Sequence, residues 1–84
     1  MAYSVLLKKS AEKELELLPT KIHDRVVELL VSLKKDPRPP GSKKLRGREG
    51  YRVRTGDYRV LYTVDDQRKE IMIFSVAHRR EAYR

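Results

Sequence analysis

The chain has 84 residues, with 20 lysines and arginines against 12 aspartates and glutamates and no cysteine, so its formal charge is +8. A chain this short forms one small domain, residues 1–84, and buries roughly 60 to 65% of the surface that its unfolded form exposes, which excludes a second domain or a deep channel. Without cysteine there is no disulfide framework, no thiolate nucleophile and no cysteine zinc site, and a reducing, cytoplasmic home is expected.

The apolar run Val5 to Leu7 is too short for a signal peptide, and no stretch approaches the roughly 20 apolar residues of a membrane span, so no membrane partner is expected. Residues 3 to 8 read as a short strand. Ser10 offers a helix N-cap with Glu12 and Glu14 in the favourable first turn, and Ala11, Leu15 and Leu18 recur at helical spacing until Pro19 ends the helix. Thr20 offers the next cap. Ile22, Val26, Leu29, Leu30 and Leu33 then make one apolar stripe, with Lys34 and Lys35 at the negative end of the helix dipole. The two helices form a hairpin.

Asp36 to Ser42 holds three of the four prolines, so it is a stiff connector, and beyond it the pattern changes to strand and turn. Strands are expected at Tyr51 to Arg54, Tyr58 to Val64 and Lys69 to Val76, with turns at Thr55-Gly56-Asp57 and Asp65 to Arg68. The fold class is therefore α+β: an N-terminal strand, a two-helix hairpin and an antiparallel three-strand meander, with the helices on one face of a small antiparallel sheet. The other face is left available.

Charge is divided unevenly along the chain. Residues 1–42 carry eight basic and six acidic side chains, whereas residues 43–84 carry twelve and six. After position 45 the cations are almost all arginine, whose planar fork clamps phosphate bidentately and stacks on bases. Four of the five tyrosines share this half, an interleaving that suits single-stranded RNA, although Tyr58 and Tyr62 read first as half-buried sheet residues. Arg52 and Arg54 share one strand face, opposite Tyr51 and Val53, and so present two guanidiniums away from the core.

The segments Lys44-Leu45-Arg46-Gly47, Tyr51-Arg52-Val53-Arg54, Gly56-Asp57-Tyr58-Arg59-Val60-Leu61-Tyr62 and Val76-Ala77-His78-Arg79-Arg80-Glu81-Ala82-Tyr83 together resemble the RelE/ParE family of bacterial and archaeal toxins. Within it the chain looks most like the RelE branch. The resemblance spans essentially the whole length and implies a toxin of a type II toxin–antitoxin system. Such a toxin enters the ribosomal 30S A site, cuts mRNA there without a metal or other cofactor, and is neutralised by a small acidic, RelB-like antitoxin. It implies a monomer when free and a hetero-oligomer with antitoxin. By position, Arg52 and Arg54 match two basic strand residues, Arg59 a phosphate-contacting arginine, and Arg79 and Tyr83 the C-terminal active-site segment. Lys44, Arg46, Arg48 and Arg80 are then contacts to RNA.

Metal-free RNA cleavage needs the ribose 2′-OH to attack the adjacent phosphorus, with groups to take its proton, hold the added negative charge and protonate the leaving 5′ oxygen. The arginine cluster suits the second task. Tyr83 is the candidate for the proton or for base stacking, since nearby cations lower a phenol's pKa from its usual value near 10. His78 reads as a surface histidine at a strand end or as the acid or base. Several family members have lysines where Arg52 and Arg54 stand, and arginine cannot act as a base, which leaves the base open. His23, Asp65 and Asp66 read as structural, and no metal site is expected. Two other readings are a ParE-like gyrase inhibitor without nuclease activity and a plain basic RNA-binding module.

Overall fold

The computed structural model describes residues 2–78, beginning with β1 (Ser4–Leu7), which runs almost directly into α1 (Lys9–Glu16). Lys8 serves both elements. Its N–H donates to the Ile73 carbonyl at 2.9 Å, and its own carbonyl accepts the Glu12 N–H at 2.9 Å. Lys8 is therefore the cap, in extended conformation and without a side-chain bond, and Ser10 lies already inside the helix rather than capping it. The next boundary differs in the same way. Pro19 is the cap of α2 (Thr20–Leu33), its carbonyl accepting the His23 N–H at 2.8 Å, so Thr20 is the first helical residue.

α2 buries Val26, Leu30 and Leu33 against the sheet, as its stripe predicts, and Ala11 is buried from α1. The proline-rich connector forms no regular element and leads into β2 (Lys43–Lys44), β3 (Tyr51–Thr55), β4 (Tyr58–Asp65) and β5 (Glu70–His78). β2 adds a strand to the expected meander. Gly56 makes the β3–β4 turn at φ +58°, a backbone state that glycine adopts without steric cost.

The five strands lie in the order β1-β5-β4-β3-β2. Every neighbouring pair is antiparallel except β1 with β5, which is parallel and joins Val5 to Ile71 and Leu7 to Ile73. Alternation then assigns the two faces. Tyr51, Val53, Val60, Tyr62, Ile71, Ile73 and Val76 face the helices and form the core with Val26, Leu30 and Leu33. Arg52, Arg54, Arg59, Leu61 and Ala77 share the opposite face. Leu61 and Ala77 are buried there, outside the core cluster, so that face has its own closed floor.

Between β4 and β5 the register slips: Leu61 pairs with Ser75 but Tyr62 with Ile73, leaving Phe74 as an extra residue in a β-bulge. The β2–β3 loop is closed by a 3.0 Å bond from the Leu45 N–H to the Gly50 carbonyl. Gly50 cannot be replaced freely, because at φ +132° an added Cβ would lie 2.8 Å from the Tyr62 carbonyl oxygen. Among the described residues no helix is long and apolar enough to cross a membrane.

Candidate nucleic-acid interface

The β3–β4 hairpin sets the geometry of the cationic face. Its two-residue turn fixes the register so that Arg54 lies directly opposite Arg59, with Arg52 one step along, opposite Leu61. Directly paired residues have Cα atoms roughly 4.5 to 5.5 Å apart, and like charges so placed repel. Among the described residues, no carboxylate lies within ion-pair distance of Arg52 or Arg54. Arg54 is exposed, and Arg52 and Arg59 are half-buried. Arginines set on one strand face, two of them on directly paired positions, form an arrangement that a phosphate would stabilise.

Lys44, Arg46 and Arg48 are all exposed, on β2 and the loop that follows. Register divides them: Lys44 pairs with Tyr51 and so lies on the helix side, whereas Lys43 pairs with Arg52 and shares the arginine face. Lys43 is thus a candidate that sequence reasoning passed over, since a two-residue strand shows no alternation from which its face could be read. His78 ends β5 opposite Tyr58, and the two rings meet edge to face with centroids 5.5 Å apart at 86°. By alternation this pair belongs to the face of Val60 and Val76, so the backbone separates its direction from that of Arg59. Arg79, Arg80 and Tyr83 lie outside the described residues.

At the other end of the sheet an arginine has a different use. Arg38, in the connector, donates to both carboxylate oxygens of Asp66, at 2.9 and 3.3 Å, and through Nε to the Tyr51 hydroxyl at 3.0 Å. Tyr3 also donates to Asp66, at 2.6 Å. The Arg38 bond holds the Asp66 carboxyl down at about 2, and the same bond raises the pKa of the guanidinium. Tyr62 is fully buried rather than half-buried: its hydroxyl donates to the Pro37 carbonyl at 2.8 Å, its ring stacks on Tyr51, and burial pushes its phenol up to about 12. Asp65 accepts the backbone N–H groups of Gln67 and Arg68, closing the β4–β5 turn. This end is structural, as the sequence reading of the two aspartates has it, but Asp66 owes its place to Arg38 and Tyr3.

An open depression of about 450 Å³ beside this clamp is lined by Glu49, Thr63, Val64, Asp65, Asp66 and Gln67. Its three carboxylates make it unsuited to a polyanion. Among the described residues no cluster of His, Asp and Glu has the arrangement to hold a metal ion.

Fold and charge together define a small α+β protein with one covered face and one arginine-lined face. A family model described as ParE toxin of type II toxin-antitoxin system, parDE, matches residues 5–83. Toxin RelG of Mycobacterium tuberculosis is 35% identical over 86 residues, covering 100% of this chain and 99% of its own. The crystal structure of the toxin–antitoxin complex RelBE2 from the same organism contains a chain that superposes with a TM-score of 0.84 at 33% identity, over 94% of this chain and 100% of that one. A chain of the archaeal RelE–RelB complex from Pyrococcus horikoshii gives 0.81 at 32%, over 98% and 100%. The chain therefore belongs to the ParE toxin family of type II toxin–antitoxin systems, with RelE toxins among its relatives.

Proposed function

We propose that the protein is a ribosome-dependent, metal-independent endoribonuclease that cuts mRNA in the 30S A site and is held inactive by a small acidic, RelB-like antitoxin. The carrying observation is the Arg54–Arg59 pair, with Arg52 beside it, on the face that the helices leave open. In the reaction the ribose 2′ oxygen bonds to the adjacent phosphorus, the bond to the 5′ oxygen breaks, and negative charge builds on the non-bridging oxygens. Guanidiniums set beforehand around that phosphate stabilise the added charge without moving.

Arg52, Arg54, Arg59 and Arg79 are assigned to the phosphate, and Tyr83 to the proton or to stacking on a base. His78 is the alternative acid or base and has less support, because its partner Tyr58 and the strand alternation direct it away from Arg59. A domain of this size has little surface with which to orient a substrate, so the ribosome supplies the positioning and free RNA is cut poorly. A cationic face of this kind also suits an acidic antitoxin that folds as it binds, giving a hetero-oligomer in place of the free monomer. Relatives crystallised as RelE–RelB complexes support that partner.

The test is a map of mRNA 5′ ends after induced expression. Cuts at A-site codons are expected, and Arg79→Ala and Tyr83→Phe each abolish them while the circular dichroism spectrum is unaltered. Parental toxicity in both variants would show the site assignment to be wrong. The family description itself favours one alternative, a ParE-like gyrase inhibitor. That reading gives a supercoiling defect and DNA damage with transcript ends unchanged, so the same map separates the two.

A further inference from the structure

The bulge in β5 puts an aromatic ring where two cations meet. Phe74, the unpaired extra residue, stands between Ile73 and Ser75 where the register slips. The Arg48 guanidinium lies 4.2 Å from the ring centroid and the Lys8 ammonium 5.9 Å from it. They arrive from separate places, Arg48 from the β2–β3 loop and Lys8 from the β1–α1 joint. Among the described residues neither has a carboxylate partner, and both are exposed. The ring is also packed under the loop, since a Cβ built on Gly50 would lie 3.4 Å from Phe74 and 3.2 Å from Leu45.

We propose that Phe74 is a positioning residue that holds Arg48 and Lys8 together as a second phosphate grip for single-stranded RNA, in addition to the Arg54–Arg59 pair. Both cations sit within about 6 Å of one ring centroid, the range in which the ring's negative face attracts them. Their charges are thus no more than about 10 Å apart, close to one screening length at physiological salt, so both act on the same stretch of backbone. The aromatic ring offsets part of the repulsion between them while both side chains stay exposed. A bare apolar side chain at the bulge would fill the space under the loop but would hold neither charge.

This inference rests on the RNA reading above and is tested separately from it, by binding of the full chain to a short single-stranded oligoribonucleotide with 2′-O-methyl groups, which cannot be cut. Arg48→Ala and Lys8→Ala are each expected to lower the dependence of log affinity on log salt by about one phosphate contact. Phe74→Leu is expected to weaken binding about two- to fivefold, whereas Phe74→Tyr, which keeps the ring, binds as the parent does. Phe74→Leu combined with Arg48→Ala and Lys8→Ala binds no more weakly than the two cation changes alone. Parental affinity and salt slope in Phe74→Leu overturn the proposal, as does an unchanged slope in both alanine variants. Should Phe74→Leu fail to fold, the alanine variants at the two exposed cations still decide. Weakened binding without mRNA cuts in cells rejects the nuclease reading and keeps the grip; cuts with a parental Phe74→Leu do the reverse.

Discussion

The two ends of this sheet use arginine in opposite ways. At the clamped end Arg38 reaches from the connector to Asp66 and Tyr51, so its charge is matched and its hydrogen bonds hold an irregular segment to a hairpin turn. At the other end Arg54 lies opposite Arg59 across the ladder, a pairing in which like charges repel. The difference teaches which cations hold the fold and which await a ligand. Arg38 is already partnered, whereas the exposed Arg54 has no carboxylate within ion-pair distance among the described residues and is open to a ligand.

The largest expected effect follows from the hairpin end. Arg59→Ala should lower ribosome-dependent cleavage by on the order of 100- to 1,000-fold, measured on mRNA ends at fixed toxin concentration, with secondary structure unaltered. Next comes the clamped end: Tyr62→Phe loses the bond to the Pro37 carbonyl and should cost about 1 kcal/mol in denaturant unfolding, with cleavage intact in the fraction still folded. The sign of the comparison is tested by Arg54→Gln. Removing a like charge directly across the ladder should stabilise the protein by about 0.2 to 1 kcal/mol at low salt, while activity falls. A loss of stability there would end the distinction between the two arginines.

The smallest effects are read by pH. Asp66 has a lowered pKa in the folded protein, so its contribution is complete above the ordinary carboxylate value of 3.8 and is lost as pH falls toward about 2. Asp66→Asn should remove that acid step from the melting profile. Tyr62 has a raised pKa, so its contribution is complete below 10 and is lost as pH rises toward about 12, a loss that Tyr62→Phe should abolish.

What could be read from the chain was whatever repeats locally. The arginine face was legible because alternation over Tyr51 to Arg54 needs only adjacent residues, and the α2 stripe because helical spacing recurs over several turns. β2 was not, since two residues carry no period. The slip at Phe74 was hidden because Ile71 to Phe74 is apolar throughout and a bulge shifts the phase of such a run without changing its composition. Arg38 escaped notice for another reason: its partner lies 28 residues away, and a single charge in a proline-rich connector gives no sign of what it will meet. The cap of the first helix moved because backbone pairing to β5 placed Lys8, and no local preference of Ser10 could outweigh it.

The parallel pairing of β1 with β5 has a consequence for how the protein comes into being. The strand that begins at residue 4 has no neighbour until the strand that begins at residue 70 exists. The arginine hairpin, by contrast, pairs residues close in sequence and can form as it emerges. A nascent chain interrupted before β5 would carry the cations without the scaffold that aims them. The fold cannot close until β5 has been made, so a translation product cut short before Glu70 should be a harmless one.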